Sequence, residues 1–424
     1  MAILLKDATF IDWKSLTFST ENILVDQNSD AIQFISDIDK LVKTPDLEVI
    51  DCKGKLVTKS FAVGHHHVYS ALSRGMGALA RSPQNFLEIL KYIWWTLDKC
   101  LDHEMIESSA LVTAIACAKA GSTFVIDHHA SPFVAKGSLD IIARAFDKVG
   151  VSHLLCYEIS DRDGKDIATD GLAETDSYLK NHQGLVGLHA SFTVSNYTLK
   201  QAIELMNRFN SGIHIHVAED TYDQDFCLRK HGKRVVERLN DFGVLKSSKT
   251  ILAHCLHLEE NERAIIQNSP SWVVQNAESN MNNNVGRFNG EHLGQNIMTG
   301  TDGMHSDMLR STRAAFFAGQ GFETIDYKSA YLRLRNIHRY LGENKFRGDG
   351  DNNLVVFDYN SPTEINKDNF YSHFIFGIAA EHICDVISNG RLIVKNRQIM
   401  TVNESEILEV SRECGRRLWK KMKM

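Results

Sequence analysis

The chain has 424 residues and a formal net charge of −6, with acidic and basic side chains interspersed. That length exceeds the roughly 250–300 residues one core usually serves, so a large domain with a smaller companion is expected. The mild acidic balance argues against a broad surface for nucleic acid or an anionic membrane. Eight cysteines scattered without a CxxC pair do not form a disulfide framework or a thiolate zinc site, and suit reduced thiols in the cytoplasm. The N-terminal MAILLKDATFIDW is too short in its apolar part to be a signal peptide, and no run reaches the roughly 18 apolar residues of a membrane span.

Residues 1–57 read as short strands, AILLKDATFI, NILVDQ, AIQFISD and LEVIDCKGKLV, separated by polar turns. From Phe61 the texture changes to eight short apolar runs: FAVGHHHV, STFVIDHH, VSHLLCYEIS, GLVGLHASFT, GIHIHVAE, TILAHCLHL, SWVVQNAES and NIMTGTDG. Segments with helical periodicity separate many of them, such as Glu104 to Lys119 before Gly121 and Leu139 to Lys148 before Gly150. Strands alternating with helices predict a parallel α/β architecture, and eight units predict a TIM-like (β/α)8 barrel over residues 58–351. The competing open, doubly wound sheet would lack a phosphate loop here, because no GxGxxG or Walker pattern opens any of the helices. NNLVVFDYN and ICDVISNGRLIVKNRQIM return to strand texture, so residues 352–403 are expected to join 1–57 in a small β-sandwich-like domain. Residues 404–424 carry Ile407, Leu408, Val410 and Leu418 on a helical pattern with a basic end, which predicts an amphipathic helix packed on the body.

Polar residues that end barrel strands are the candidates for chemistry, because that face of a barrel carries the active residues. His65 and His67 are two apart, so on a strand both imidazoles share a face and can chelate one ion, while His66 points away. An isolated strand histidine is more often a hydrogen-bonded core residue; here others accompany it. In GIHIHVAED, His214 and His216 again share a face, and spacing leaves open which would be a third ligand. Glu219 lies just beyond, where a carboxylate can move protons to and from a metal-activated water, the alternative being a solvated loop acid. His254 ends an apolar stretch and can face the attacking oxygen, whereas His257 reads as structural. Asp302 in GTDG fits a final metal ligand that also receives a proton in catalysis, although TDG alone would be an ordinary turn. Trp94, Trp95 and Phe192 can stack on a planar ring or simply pack. Arg74 can meet a carbonyl or an anion, or form a structural ion pair. Asn280, Asn282, Asn283 and Asn284 supply amides near the barrel mouth, and Asp127, His128 and His129 read as a hydrogen-bonded scaffold.

LSRGM, WWTLD, IDHHASP, HIHVAEDTYD, SNMNNNVG, GTDG with Ser306-Asp307-Met308, and DYNSPT together resemble the metal-dependent amidohydrolase superfamily, in its cytosine-deaminase-like and chlorohydrolase-like branch. The resemblance spans essentially the whole chain. It implies that His65, His67, His216 and Asp302 hold the metal, that Glu219 shuttles protons, and that His254 stands beside the metal-bound water. It also marks His189 as a substrate contact; the residues themselves add Trp94, Arg74 and Asn280 as candidate substrate contacts. Binuclear relatives place a lysine on the fourth strand; GLVGLHASFT has none, so one divalent ion per subunit, Zn(2+) or Fe(2+), is expected. Two departures from the family pattern are Lys59-Ser60 in place of a Pro-Gly step before the first strand and Asn276-Ala277 in place of Asn-Pro. The implied activity is hydrolytic deamination of a purine-like or related nitrogen heterocycle, possession of a homodimeric state being a further expectation. The alternatives are opening of a cyclic amide or displacement of another ring substituent, and a non-catalytic scaffold, which the complete ligand and acid/base set disfavours.

Overall fold

The computed structural model describes residues 2–38, 47–77 and 81–423. Eight parallel strands form one sheet whose neighbours follow chain order throughout: Phe61–His66, Ser122–His129, Ser152–Ile159, Val186–Ala190, Ile213–Val217, Ile251–His254, Trp272–Gln275 and Ile297–Thr299. The last returns to the first, because the amides of Thr301 and Asp302 donate to the His65 carbonyl at 3.0 and 3.1 Å. Closure in chain order is the expected barrel and rules out the doubly wound sheet. The same closure brings Asp302 beside His65.

Helices link the strands and cover the barrel from outside. His103–Lys119 starts where the Asp102 side chain accepts the Met105 amide, and ends before Gly121, whose φ of +75° is readily adopted by glycine. Ser138–Val149 likewise stops at Gly150, in the left-handed region. Because the strands are buried on both faces, their sequences read as continuous apolar runs.

A second, nine-stranded sheet is built from both ends of the chain. Ala2–Ile11 pairs antiparallel with Phe18–Asp26 along one edge. Its other edge is shared between Leu47–Asp51 and Leu56–Val57, with a register shift between Leu5 and Ala8 separating the two halves. Leu56–Lys59 then pairs with Leu354–Phe357, which joins the two ends of the chain in one sheet with its own buried core around Leu5, Ile23, Val57 and Val356. Ser60 is where this sheet passes into the barrel. Where the family pattern has Pro-Gly, Lys59 ion-pairs with Asp349 at 3.1 Å, and the Ser60 carbonyl accepts from Arg335 at 2.8 Å and meets His338 Nε2 at 3.1 Å. A buried polar network thus holds the turn that a proline would stiffen.

The C-terminal helix, Glu404–Lys421, starts at the Asn403 cap and packs on His103–Lys119. Its buried stripe matches the expected one at Leu418 and at the half-buried Ile407 and differs at Leu408 and Val410. Ser411, Cys414, Gly415 and Leu418 face inward, whereas Leu408 and Val410 are exposed. Small residues let the two helices approach closely, and Ser108 and Ser411 hydrogen-bond across the contact at 2.8 Å. All eight cysteines are free thiols. Among the described residues, no helix is long and apolar enough to cross a membrane.

Candidate active site

The ends of strands one, five and eight bring donor atoms of His65, His67, His216 and Asp302 within 4.8 Å of one another, at buried positions. Asp302 Oδ1 lies 3.0 Å from His67 Nε2 and 3.4 Å from His65 Nε2, while the Nε2 atoms of His67 and His216 are 3.1 Å apart. The opposite side of each ring fixes what these nitrogens present. His67 Nδ1–H donates to the His128 carbonyl at 2.7 Å, and His216 Nδ1–H to the His189 carbonyl at 2.8 Å. In the neutral tautomers, two Nε2 lone pairs therefore point at each other beside a carboxylate. A cation or a shared proton must lie between them. His65 Nδ1 meets His214 Nε2 at 2.9 Å, which leaves its own Nε2 buried without a hydrogen-bond partner and aimed at the same centre. Three imidazoles and one carboxylate, each with its outer side held, form a group that could hold a divalent metal ion.

Electrostatics agree with that geometry. Burial pulls the His65 imidazolium down to about 3 and His216 well below its ordinary value, so both are neutral donors. Burial also opposes charge on His67, but the Asp302 carboxylate outweighs it and pushes His67 up to about 9. The metal-free centre thus favours a proton on His67, which a metal ion bound there would displace. Asp302 would be raised by burial, yet its close contacts with His65 and His67 hold it well below the usual carboxylate range; its Oδ2 accepts from Ser279 Oγ.

Glu219 and His254 stand beside the cluster. Donor atoms of Glu219, His254 and Asp302 lie within 4.8 Å of one another, and His254 Nε2 is 3.5 Å from Glu219 Oε2. The backbone is bent to achieve this: Ala218, His254 and Asp302 have φ of +45°, +72° and +52°, conformations that cost energy in non-glycine residues and concentrate at functional sites. Asp223 fixes the first bend by accepting the Ala218 amide at 3.0 Å, and Asn280 Oδ1 holds His254 Nδ1 at 2.8 Å. Burial, then the neighbouring Asp302 charge, pushes the Glu219 carboxyl well above its ordinary value.

A cavity opens over the cluster, lined among others by Trp94, Trp95, His189, Glu219, Asn282 and Asn283. His189 Nδ1 is tied to Thr193 Oγ1 at 2.6 Å, and Phe192 lines a side pocket that shares His189 and Glu219. Two expected contacts fall elsewhere. Arg74 is exposed on the turn after the short helix Val68–Ser73 and lines a neighbouring cleft that shares Trp94 and Gly303 with the cavity. Asn280 faces His254, because its place in the helix Ala277–Asn282 turns it toward the sixth strand while Asn282 and Asn283 reach the cavity. Asp127, His128 and His129 are hydrogen-bonded to the Val68 amide, to the Leu188 and His214 carbonyls, and to Ser131. Sequence reasoning missed Glu158 and Arg162, which line the cavity with Arg162 paired to Asp98. Glu158 ends the third strand run, so the rule that singled out Glu219 also applied to it.

A family model described as "Amidohydrolase family" matches residues 61–334. The chain belongs to the amidohydrolase family. Among curated proteins it is similar to the 5-methylthioadenosine/S-adenosylhomocysteine deaminase of Thermoanaerobacter pseudethanolicus, 26% identical over 96% of this chain and 97% of that one. It is also similar to the 5'-deoxyadenosine deaminase of Methanopyrus kandleri, 27% identical over 93% and 94%. Among solved structures, the fold matches an adenosine deaminase from Xanthomonas campestris with bound zinc, at a TM-score of 0.83, 17% identity and 98% coverage of both chains. These amidohydrolase relatives are hydrolases of carbon–nitrogen bonds other than peptide bonds, as the resemblance implied.

Proposed function

We propose that this chain is a metal-dependent aminohydrolase that removes an exocyclic amine from a nitrogen heterocycle, releasing ammonia and leaving a ring carbonyl. The observation that carries the reading is the set of convergent donor atoms of His65, His67, His216 and Asp302 with the buried Glu219 carboxyl beside them, its proton affinity raised by burial. One divalent ion, Zn(2+) or Fe(2+), fits this donor set, and the fourth strand, Val186–Ala190, adds no lysine for a second. When bound, the ion supplies Lewis acidity that brings the pKa of water from about 15.7 toward about 7.

The chain's own residues do the rest. Trp95 and His189, with ring centroids 5.9 Å apart, form a wall against which a planar ring can lie. Glu219 takes the first proton of water as its oxygen adds to the amine-bearing ring carbon, and passes that proton to the adjacent ring nitrogen. His254, its Nδ1–H taken by Asn280, presents an Nε2 lone pair to the remaining O–H. That second proton reaches the amine through the same side chains, the C–N bond breaks, and ammonia leaves as the C=O bond forms. The relatives named for adenosine-type deamination support a nucleoside-like or purine-like ring as the substrate class.

The test is ammonia release from a panel of amino heterocycles by the metal-loaded protein, alongside Glu219→Gln. The amide keeps the shape and cannot move a proton, so activity should fall at least about 10³-fold with metal content unchanged. A protein that opens rings without freeing ammonia, or a Glu219→Gln variant with full activity, would overturn the reading.

A further inference from the structure

Glu158 and Arg162 are opposite charges in the wall of a cavity that Tyr69, Phe86, Trp94 and Trp95 also line, and their side chains are only 3% and 7% exposed. Burying such charges is costly unless partners satisfy them. Asp98 accepts from Arg162 Nη2, Asp163 Oδ2 lies 3.2 Å from Nε, and the Trp95 ring covers the guanidinium at 5.2 Å. Nη1 is left without a hydrogen-bond partner. Glu158 Oε2 faces His128 Nδ1 at 3.4 Å, while its Oε1 stands 3.7 Å from Arg162 Nη2, beyond hydrogen-bond reach. The pair thus keeps one strong acceptor and one charged donor, side by side.

Their place limits what they can read. Donor atoms of Glu158, His128 and His216 lie within 4.8 Å of one another, so the carboxylate is a single ring's width from the cluster. A flexible substituent, such as a sugar or a zwitterionic tail, would meet the wall farther out. At this distance the groups face the edge of the reacting ring. Adenine's ring nitrogens present lone pairs there, which a carboxylate repels. An N–H beside a C=O offers the carboxylate a donor and the guanidinium an acceptor.

We propose that Glu158 and Arg162 read a lactam edge, so that the substrate is an amino-oxo heterocycle of the 2-amino-4-oxopyrimidine type, alone or fused as in a 2-amino-6-oxopurine. This rests on the deaminase reading above and narrows it. Water adds to the amine-bearing carbon between two ring nitrogens; Glu219 protonates one, and the other carries the N–H that Glu158 accepts, with the adjacent C=O on Arg162.

The experiment compares isocytosine and guanine with their lactam N-methyl derivatives and with adenosine. Two readouts are taken on the full chain: ammonia release by the metal-loaded protein, and binding to the metal-loaded Glu219→Gln variant by quenching of tryptophan fluorescence. Each parent ring should bind and turn over at least about 100-fold better than its N-methyl derivative, because a buried polar group left unpaired rejects the analogue strongly. Glu158→Gln should cut that discrimination about tenfold, since a neutral amide accepts more weakly than a carboxylate. Equal binding of parent and N-methyl rings, or discrimination unchanged in Glu158→Gln, overturns the proposal. If Glu158→Gln does not fold, the parent and N-methyl comparison in Glu219→Gln still decides. Ammonia from adenosine without a lactam preference sinks this inference alone, whereas no ammonia from any ring sinks the deaminase reading.

Discussion

Replacing His214 with leucine should loosen metal binding by about 10- to 100-fold although His214 supplies no ligand atom. Its Nε2 accepts the His65 Nδ1–H at 2.9 Å, and its own Nδ1 faces Cys156 Sγ at 3.6 Å, so it fixes the His65 tautomer that turns Nε2 to the centre. Two routes give the magnitude. Losing the acceptor leaves a buried N–H unsatisfied, which costs about 1–3 kcal/mol. The usual effect of removing such an outer partner, 10- to 100-fold in affinity, is about 1.4–2.7 kcal/mol. The ranges overlap, so most of the cost should appear in metal affinity and little in folding, because leucine fills similar space. Competition against a fluorescent chelator measures the dissociation constant, with thermal melting of the metal-free variant as control. His216→Leu should abolish stoichiometric binding in the same assay. Wild-type affinity in His214→Leu would refute the orienting role, and full loss in both variants would mean that the two histidines had been separated wrongly.

Asn280→Ala should lower kcat about 10- to 100-fold, the scale of a positioning partner, while metal content holds, since Asn280 touches His254 and none of the four donors; steady-state kinetics beside metal analysis checks it. Gly300→Ala should destabilise the fold by about 1–3 kcal/mol and weaken metal binding, because a Cβ there would lie 2.3 Å from Asn276 Oδ1 and 2.9 Å from His65 Cβ. Asp349→Asn should cost about 3–5 kcal/mol in denaturant unfolding, as it strands the buried Lys59 ammonium and the His338 ring, which Asp349 holds at 3.1 and 2.8 Å. Burial would raise the Asp349 carboxyl, yet His338 and Lys59 hold it at about 2, below the usual 3.8. A depressed carboxylate pKa gives stability that is complete above the unfolded value and lost as pH falls through the folded one. The gap between wild type and Asp349→Asn should therefore shrink between about pH 4 and pH 2. Burial meanwhile disfavours the Lys59 ammonium, so the net worth of the pair is smaller than the cost of breaking it.

The barrel was legible because parallel strands buried on both faces must be written as apolar runs, and covering helices as 3.6-residue periods between them. His65 and His67 followed from the two-residue period of a strand. The same period fails at His214 and His216, which lie on one face and differ in depth. Register decides between them: His216 lies opposite Ala253, one step from His254 at the open end, whereas His214 is level with Ile251. The C-terminal helix shows the converse error. Apolarity favoured Leu408 and Val410, but the helix seats on Ser411, Cys414 and Gly415, where small side chains permit the approach.

Glu158 ends a strand run and was open to the same rule as Glu219, but Arg162 stayed hidden for a different physical reason. ISDRDG reads as a charged, glycine-ended turn, and in isolation such a run belongs in water. Burial becomes tolerable only through Asp98, which follows Trp94 and Trp95 in a helix more than sixty positions earlier in the chain, and through Trp95 itself. No local pattern encodes that pairing, because the barrel's closure makes it. The four donors are different: they sit at the ends of three strands, and carbonyls on neighbouring strands aim His67 and His216, while His214 on the fifth strand aims His65. Chemistry shared by the family is thus written in short strand-end motifs. What selects the ring is written across the loops that meet over them, and a substitution at Asp98 should alter substrate choice through Arg162 while leaving the metal in place.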